Sequence, residues 1–233
     1  MNRTWSPNVN NFRFAHSETA IESVPQDPQQ GTTISFADSS PWSVFRVKPI
    51  PAHSFAVEEV YVRQEDLISQ FDQTENDNFA FHLNHRILPS PDEVQTHADL
   101  ELWLSVQTDD LDSEPVLVVS CESPDGSYWE TLKASELVPG DNTYEGDAPA
   151  AIICPGSEIS AVWLIDQGDQ RHSQLLSSPS EPEQRVELFS HFMEKGVIRR
   201  ARMRFHLIPN PLDQNHVSLL YQQFLSSPLP LTA

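Results

Sequence analysis

The densest chemistry in this chain lies in "KGVIRRARMRFH" (195–206), where Lys195, Arg199, Arg200, Arg202, Arg204 and His206 share twelve positions. Those five Lys and Arg come from a total of 14, set against 34 Asp and Glu. Read as a strand, the stretch splits into two faces. Val197, Ala201, Met203, Phe205 and Leu207 share one with Arg199; Ile198, Arg200, Arg202, Arg204, His206 and Ile208 form the other. Three guanidiniums at i, i+2 and i+4 then stand about 7 Å apart. Arg200, Arg202, Arg204 and His206 are therefore a candidate anion- or partner-binding set, because guanidinium forks match carboxylate and phosphate. The competing role is pairing with the chain's own acids across strands, at about 0.2–1 kcal/mol per pair. Glu58, Glu59, Glu101 and Glu130 fall in expected strands, and internal pairing is the expected role.

Other chemistry is sparse. His82 and His85 lie three apart on an expected strand, so they face opposite ways and make a poor zinc pair; no CxxC or HxxxH occurs. "DDLD" (109–112) and "GDNTYEGD" (140–147) lack the ligand spacing of a calcium loop. Cys121 alternates with Leu117 and Val119 and is expected to point inward, where a thiol is inert. There is no GxSxG, and seven glycines in all leave no phosphate-cradling loop. No catalytic residue, metal ligand or cofactor can be named. Trp103, expected to project outward beside Glu101, is the one alternative binding group, since a flat indole among carboxylate and hydroxyl groups can stack on a sugar ring. The opposing expectation is that a helix or the N-terminal arm covers that face.

The elements that would position these groups are mostly strands. "DLELWLSVQT" (99–108) alternates over ten residues, with Leu100, Leu102, Leu104 and Val106 inward. "FAVEEVYVR" (55–63), "LISQF" (67–71), "FAFHLNHRI" (79–87) and "PVLVVSCES" (115–123) read the same way. "PDGS" is expected to return the chain into "YWETL" (128–132), "PGSE" joins "AAIIC" to "ISAVWLI" as a hairpin, and "RHSQLL" (171–176) is a further strand. Two helices are expected near 181–195 and 214–226. The first rests on a Ser180/Glu183 capping box, an early Pro182, a Val186/Phe189/Phe192/Met193 stripe and a Gly196 stop. The second rests on Val217, Leu220, Tyr221, Phe224 and Leu225 at helical spacing. Residues 1–40, rich in Asn, Gln, Ser, Pro and Thr, read as a largely disordered polar arm on which Trp5, Phe12 and Phe14 can dock. Residues 41–233 then form one domain of α+β class, mainly β: an antiparallel β-sandwich or layered sheet with two C-terminal helices on a face or edge.

A formal charge of −20 argues against nucleic acid and anionic membrane, which need a positive field. The start, "MNRTWSPNVNNF", lacks an apolar signal region, and two apolar-flanked cysteines suit reduced thiols, so a cytoplasmic location is expected. "VEEVYVRQEDLI", "LSVQTDDLDSEP", "EKGVIRRARMR" and "YQQFLSSPLPLT" resemble a family of uncharacterised planctomycete bacterial proteins across most of residues 55–232. That resemblance implies only that the ordered region is one unit and that its C-terminal helix belongs to it. The expected function is a soluble, non-enzymatic interaction protein acting through a sheet face or edge, on a protein partner or by self-association. The alternatives are a carbohydrate-binding module using Trp103 and Glu101, and a carboxylate-dependent hydrolase.

Overall fold

Alternating inward side chains on many short strands need an opposing apolar face, and two large sheets supply it here. The computed structural model describes residues 4–8, 11–16, 18–36, 39–51, 55–91, 94–124, 128–138 and 148–228. In the first sheet the order is β1 (Ser6–Asn8), β2 (Asn11–His16), β3 (Thr19–Ser23), β4 (Thr32–Phe36), β5 (Trp42–Ile50), β11 (Val116–Glu122), β16 (Glu183–Leu188) and β15 (Ser173–Leu175). In the second it is β12 (Glu130–Leu132), β13 (Ala151–Cys154), β14 (Ile159–Ile165), β18 (Ile198–Pro209), β9 (Ala98–Gln107), β8 (Ala80–Ile87), β7 (Asp66–Phe71) and β6 (Val57–Arg63). A two-stranded ribbon joins β10 (Asp112–Ser113) to β17 (Met193–Glu194). Every pairing among the described residues is antiparallel.

The main core lies between the two sheets. Leu100, Leu102, Leu104 and Val106 of β9 and Ala201, Met203, Phe205 and Leu207 of β18 face Val47, Leu117, Val119, Val186 and Leu188 of the first sheet. A register shift between β5 and β11 accompanies a positive φ of 52° at Phe45. This bulge turns both Val44 and Phe45 inward, and Phe45 meets Trp163 and Phe205 edge-on. A second apolar cluster covers part of the outer face of the second sheet. There α2 (Gln214–Ser226) and the short α1 (Ala134–Leu137) lay Val217, Leu220, Tyr221, Phe224 and Leu137 against Ile153, Val162, Leu164 and Ile208.

Three expectations need correction. Residues 1–40 are not a disordered arm within the described part: β1 to β4 extend the first sheet from the edge of β5, and Ile21, Ile34 and Trp5 are buried. The arm's polar composition hides short Thr/Ser/Ile alternations that a neighbouring strand edge can use. No helix forms over 181–195. β16 pairs with β11 through six residue pairs, β17 follows, and Phe192 is exposed. Val186 and Leu188, two apart, are what the core takes up, so long-range pairing overrides the local helix signals. Gly196 does adopt a positive φ of 76°, as a turn entering β18. Finally, β12 pairs with β13 rather than returning on β11, so the chain crosses from one sheet to the other after Glu122. Residues 125–127 of the expected turn lie outside the described residues.

α2 itself runs where helical spacing places it. Asp213 caps its start by accepting from the His216 amide at 2.9 Å. No helix of the described chain is long and apolar enough to cross a membrane. Cys121 and Cys154 are buried and not joined by a disulfide, and burial pushes the Cys121 thiol well up.

Candidate functional site

β18 runs between β14 and β9, and its even-numbered face turns outward, toward α2. In this register Arg204 lies opposite Glu101 and His206 opposite Asp99. Arg204 Nε donates to Glu101 Oε2 at 2.6 Å, and His206 Nδ1 lies 2.6 Å from Asp99 Oδ1. Arg202 reaches the other way. Its Nε and Nη2 donate to Asp166 Oδ2 at 3.0 and 2.5 Å. Three of the four residues read as an anion-binding set therefore meet the chain's own acids.

Arg202 and Arg204 also close α2. The last turn of that helix has no basic residue of its own, and helix C-terminal carbonyls attract cations. Arg202 donates to Phe224 O at 3.0 Å and to Ser227 O at 3.3 Å; both arginines reach Ser227 Oγ, at 3.0 and 2.7 Å. The Phe224 ring lies 4.2 Å from the Arg202 guanidinium carbon and 4.9 Å from that of Arg204. The basic strand thus serves as the missing cationic end of α2.

Away from α2 the outer face is open and polar. One row crosses five strands with alternating sign: Arg63, Asp66, Arg86, Glu101, Arg204. Arg86 holds Asp66 at 2.5 and 2.8 Å, and this pairing is the main reason its guanidinium holds its proton more tightly. The next row is Tyr61, Ile68, Asn84, Trp103, Arg202. Trp103 is half-buried there. Its Nε1 donates to Glu101 Oε1 at 2.8 Å, and the Arg202 guanidinium lies 5.4 Å from its ring. Beside it, Asn84 Oδ1 is buried without a partner. Gln70, His82, Ser105 and Arg200 make the third row. Burial lowers the proton affinity of His82, with Asp72 opposing. Arg200 is exposed.

Two concavities adjoin this face. One, of about 420 Å³, lies between Leu88–Pro91, Arg204, His206 and α2 residues Leu220 and Gln223; His206 Nε2, in its wall, is buried without a partner. The other, of about 190 Å³, lies at the start of β18 and includes Arg199 and Arg200. Asp99, Asp166, Asp169, His172 and His191 were not singled out by sequence. Asp99 and Glu101 share the outward face of β9, which was the available signal; Asp166 and Asp169 sit in "DQGDQ", where only the path of the loop brings them to β18. Among the described residues no cluster of His, Cys, Asp or Glu could hold a metal ion; the 140–147 segment lies outside them.

No family model and no curated protein matches this chain. Solved structures do. An alpha-N-acetylgalactosaminidase from Bifidobacterium bifidum, a quadruple mutant, aligns over 91% of this chain at a TM-score of 0.55 and 13% identity. A heparan sulfate lyase mutant from Pedobacter heparinus aligns over 88% at 0.53 and 6% identity. A protein described as a kojibiose phosphorylase from the human microbiome aligns over 94% at 0.50 and 9% identity. The chain spans 38%, 36% and 37% of those proteins respectively. The shared feature is the fold, a β-sandwich found within carbohydrate-active enzymes.

Proposed function

We propose that this chain is a non-catalytic β-sandwich module that binds a saccharide on the open half of its second sheet. The observation that carries the reading is Trp103. Its indole is partly exposed among mostly polar groups, held by Glu101 on one side and by Arg202 across its ring. A rigid indole offers a flat apolar surface at little ordering cost, and Asn84, Ser105 and Arg86 around it offer hydrogen bonds to ring hydroxyls. The sandwich's likeness to parts of carbohydrate-active enzymes supports the choice of ligand class.

The other four tryptophans, Trp5, Trp42, Trp129 and Trp163, are all buried. A ligand-induced change in indole emission, or protection from acrylamide quenching, therefore reports Trp103. Titration with a panel of neutral and uronic-acid oligosaccharides should give saturable protection. Trp103→Ala should weaken binding about tenfold, the equivalent of roughly 1.4 kcal/mol of lost stacking. A panel without protection, or equal affinity in a folded Trp103→Ala protein, refutes the reading.

A further inference from the structure

The smaller concavity gathers basic groups from three separate elements. Asp169 and His172 come from the turn around the 3-10 segment Gln170–His172, Phe189 and His191 from the loop after β16, and Arg199 and Arg200 from the start of β18. Phe189 turns that loop inward with a positive φ of 67°. The His172 and His191 rings lie 4.5 Å apart, the Arg199 Nη1 meets His191 Nε2, and Arg199 Nε is buried without a partner. Arg200 is exposed and makes no ion pair among the described residues.

These groups press on one another. Burial lowers the proton affinity of His191 most, and the charges of Arg199 and His172 lower it further; no acid counters them. Among the described residues, the one carboxylate lining the pocket is Asp169. Burial pushes its carboxyl up to about 7, with Asp166 adding to the rise, while a hydrogen bond from the Arg202 amide and the Arg202 charge oppose it. In a chain of net charge −20, a pocket lined by two arginines, two histidines and one weakened acid is short of negative charge. Its volume of about 190 Å³ equals about six waters at ~30 Å³ each, room for one small charged group and the atoms bearing it.

We propose that this pocket binds an oxyanion, a carboxylate or sulfate group, between the Arg199 and Arg200 guanidiniums and the His172 and His191 imidazoles. The site lies beside the Trp103 face, with Arg200 at the border between them, and stands without the saccharide reading. Lowering the pH through 7 discharges Asp169 and removes the negative charge that repels the anion. Each proton taken up on binding changes affinity up to about tenfold per pH unit.

Calorimetric titration of the full chain with sodium sulfate, and separately with sodium glucuronate, at pH 5.5 and 8.0 and constant ionic strength tests this. One saturable site is expected, at least about tenfold tighter at pH 5.5. Preference for glucuronate assigns the site to carboxylates, and preference for sulfate assigns it to sulfate groups. Arg200→Gln and His191→Gln should each weaken binding about tenfold or more, and Lys195→Gln, an exposed neighbour outside the pocket, should not. Arg200 is exposed, so its replacement leaves the fold intact and circular dichroism verifies this. Absence of saturable binding by either anion, an affinity that ignores pH, or an equal loss in Lys195→Gln overturns the proposal.

Discussion

Replacing Arg202 by methionine keeps most of the side-chain volume and removes the guanidinium. In the folded protein that guanidinium is 3% exposed and Asp166 is 19% exposed. Removing one partner of a buried ion pair costs about 3–5 kcal/mol. Asp166 retains some water contact, which places the pair's share near the lower end. Two C-terminal carbonyls of α2, Phe224 O and Ser227 O, also lose donors, at about 0.5–1.5 kcal/mol each, though both lie near the helix end where water can replace part of the loss. The expected destabilisation is about 3–5 kcal/mol, or a fall in Tm of roughly 10 °C for a chain of this size. Urea unfolding followed by circular dichroism, on wild type, Arg202→Met, Asp166→Asn and the double variant, measures both the total and the coupling. A coupling of about 2 kcal/mol or more between the two sites is expected, since the double variant leaves no uncompensated buried charge. A loss below about 1 kcal/mol in Arg202→Met, or additive effects within about 0.5 kcal/mol, would show that the Arg202–Asp166 pair does not hold β18 to the turn after β14.

Two further substitutions separate the pH responses of the fold. His85 faces the core with both ring nitrogens unpartnered, and burial brings its proton affinity down to a pKa of about 4. Its folded value lies below the unfolded one of about 6.5, so its contribution is present above pH 6.5 and is lost as pH falls toward 4. His85→Leu should remove about 2–3 kcal/mol of acid sensitivity between pH 7.5 and 4.5, read as a flatter profile of unfolding free energy against pH; an unchanged slope refutes this. Asp169 has the opposite sign. Its folded pKa of about 7 exceeds the ordinary carboxyl value of 3.8, so its contribution is present below about pH 4 and is lost as pH rises through 7. Asp169→Asn keeps an oxygen for the Arg202 amide and should raise stability at pH 8 by on the order of 3 kcal/mol with little change at pH 4. A variant no more stable at pH 8 than wild type contradicts it.

Much of the second sheet could be read from its residues because its signals are local. The ten-residue alternation of β9 and the inward leucines need no partner to be recognised. The two faces of β18 follow from the same period, and α2 from its helical spacing. What escaped reading depends on distant parts of the chain. "SEPEQRVELFSHFMEKG" carries helix caps and a helical stripe, yet β11 lies more than sixty residues earlier and offers the hydrogen bonds that make β16 a strand. The first four strands are polar enough to look unstructured until β5 gives them an edge. The same holds for the site. Glu101 and Arg204 are 103 positions apart, and Asp99 and His206 are 107 apart. Neither pair can be assigned from spacing, although one pairing of β9 with β18 fixes both. In "FAVEEVYVR" a bulge between Val57 and Glu59 shifts Val57 onto the core side with Val60 and Val62, an irregularity that simple alternation cannot contain.

The charged row across the second sheet has a consequence for assembly. A one-residue slip between neighbouring strands turns every side chain to the wrong face, and the core forbids it. A two-residue slip keeps the faces and would satisfy the apolar pattern nearly as well. In β7 and β8, however, such a slip moves the buried Asp66 from Arg86 to Asn84 in one direction and to Leu88 in the other, leaving a buried carboxylate with only the more distant Arg63, at 3.7 Å, in place of its close pair. The alternating charges therefore act as a lock on alignment, rejecting the misfolded sheet that hydrophobicity alone would accept.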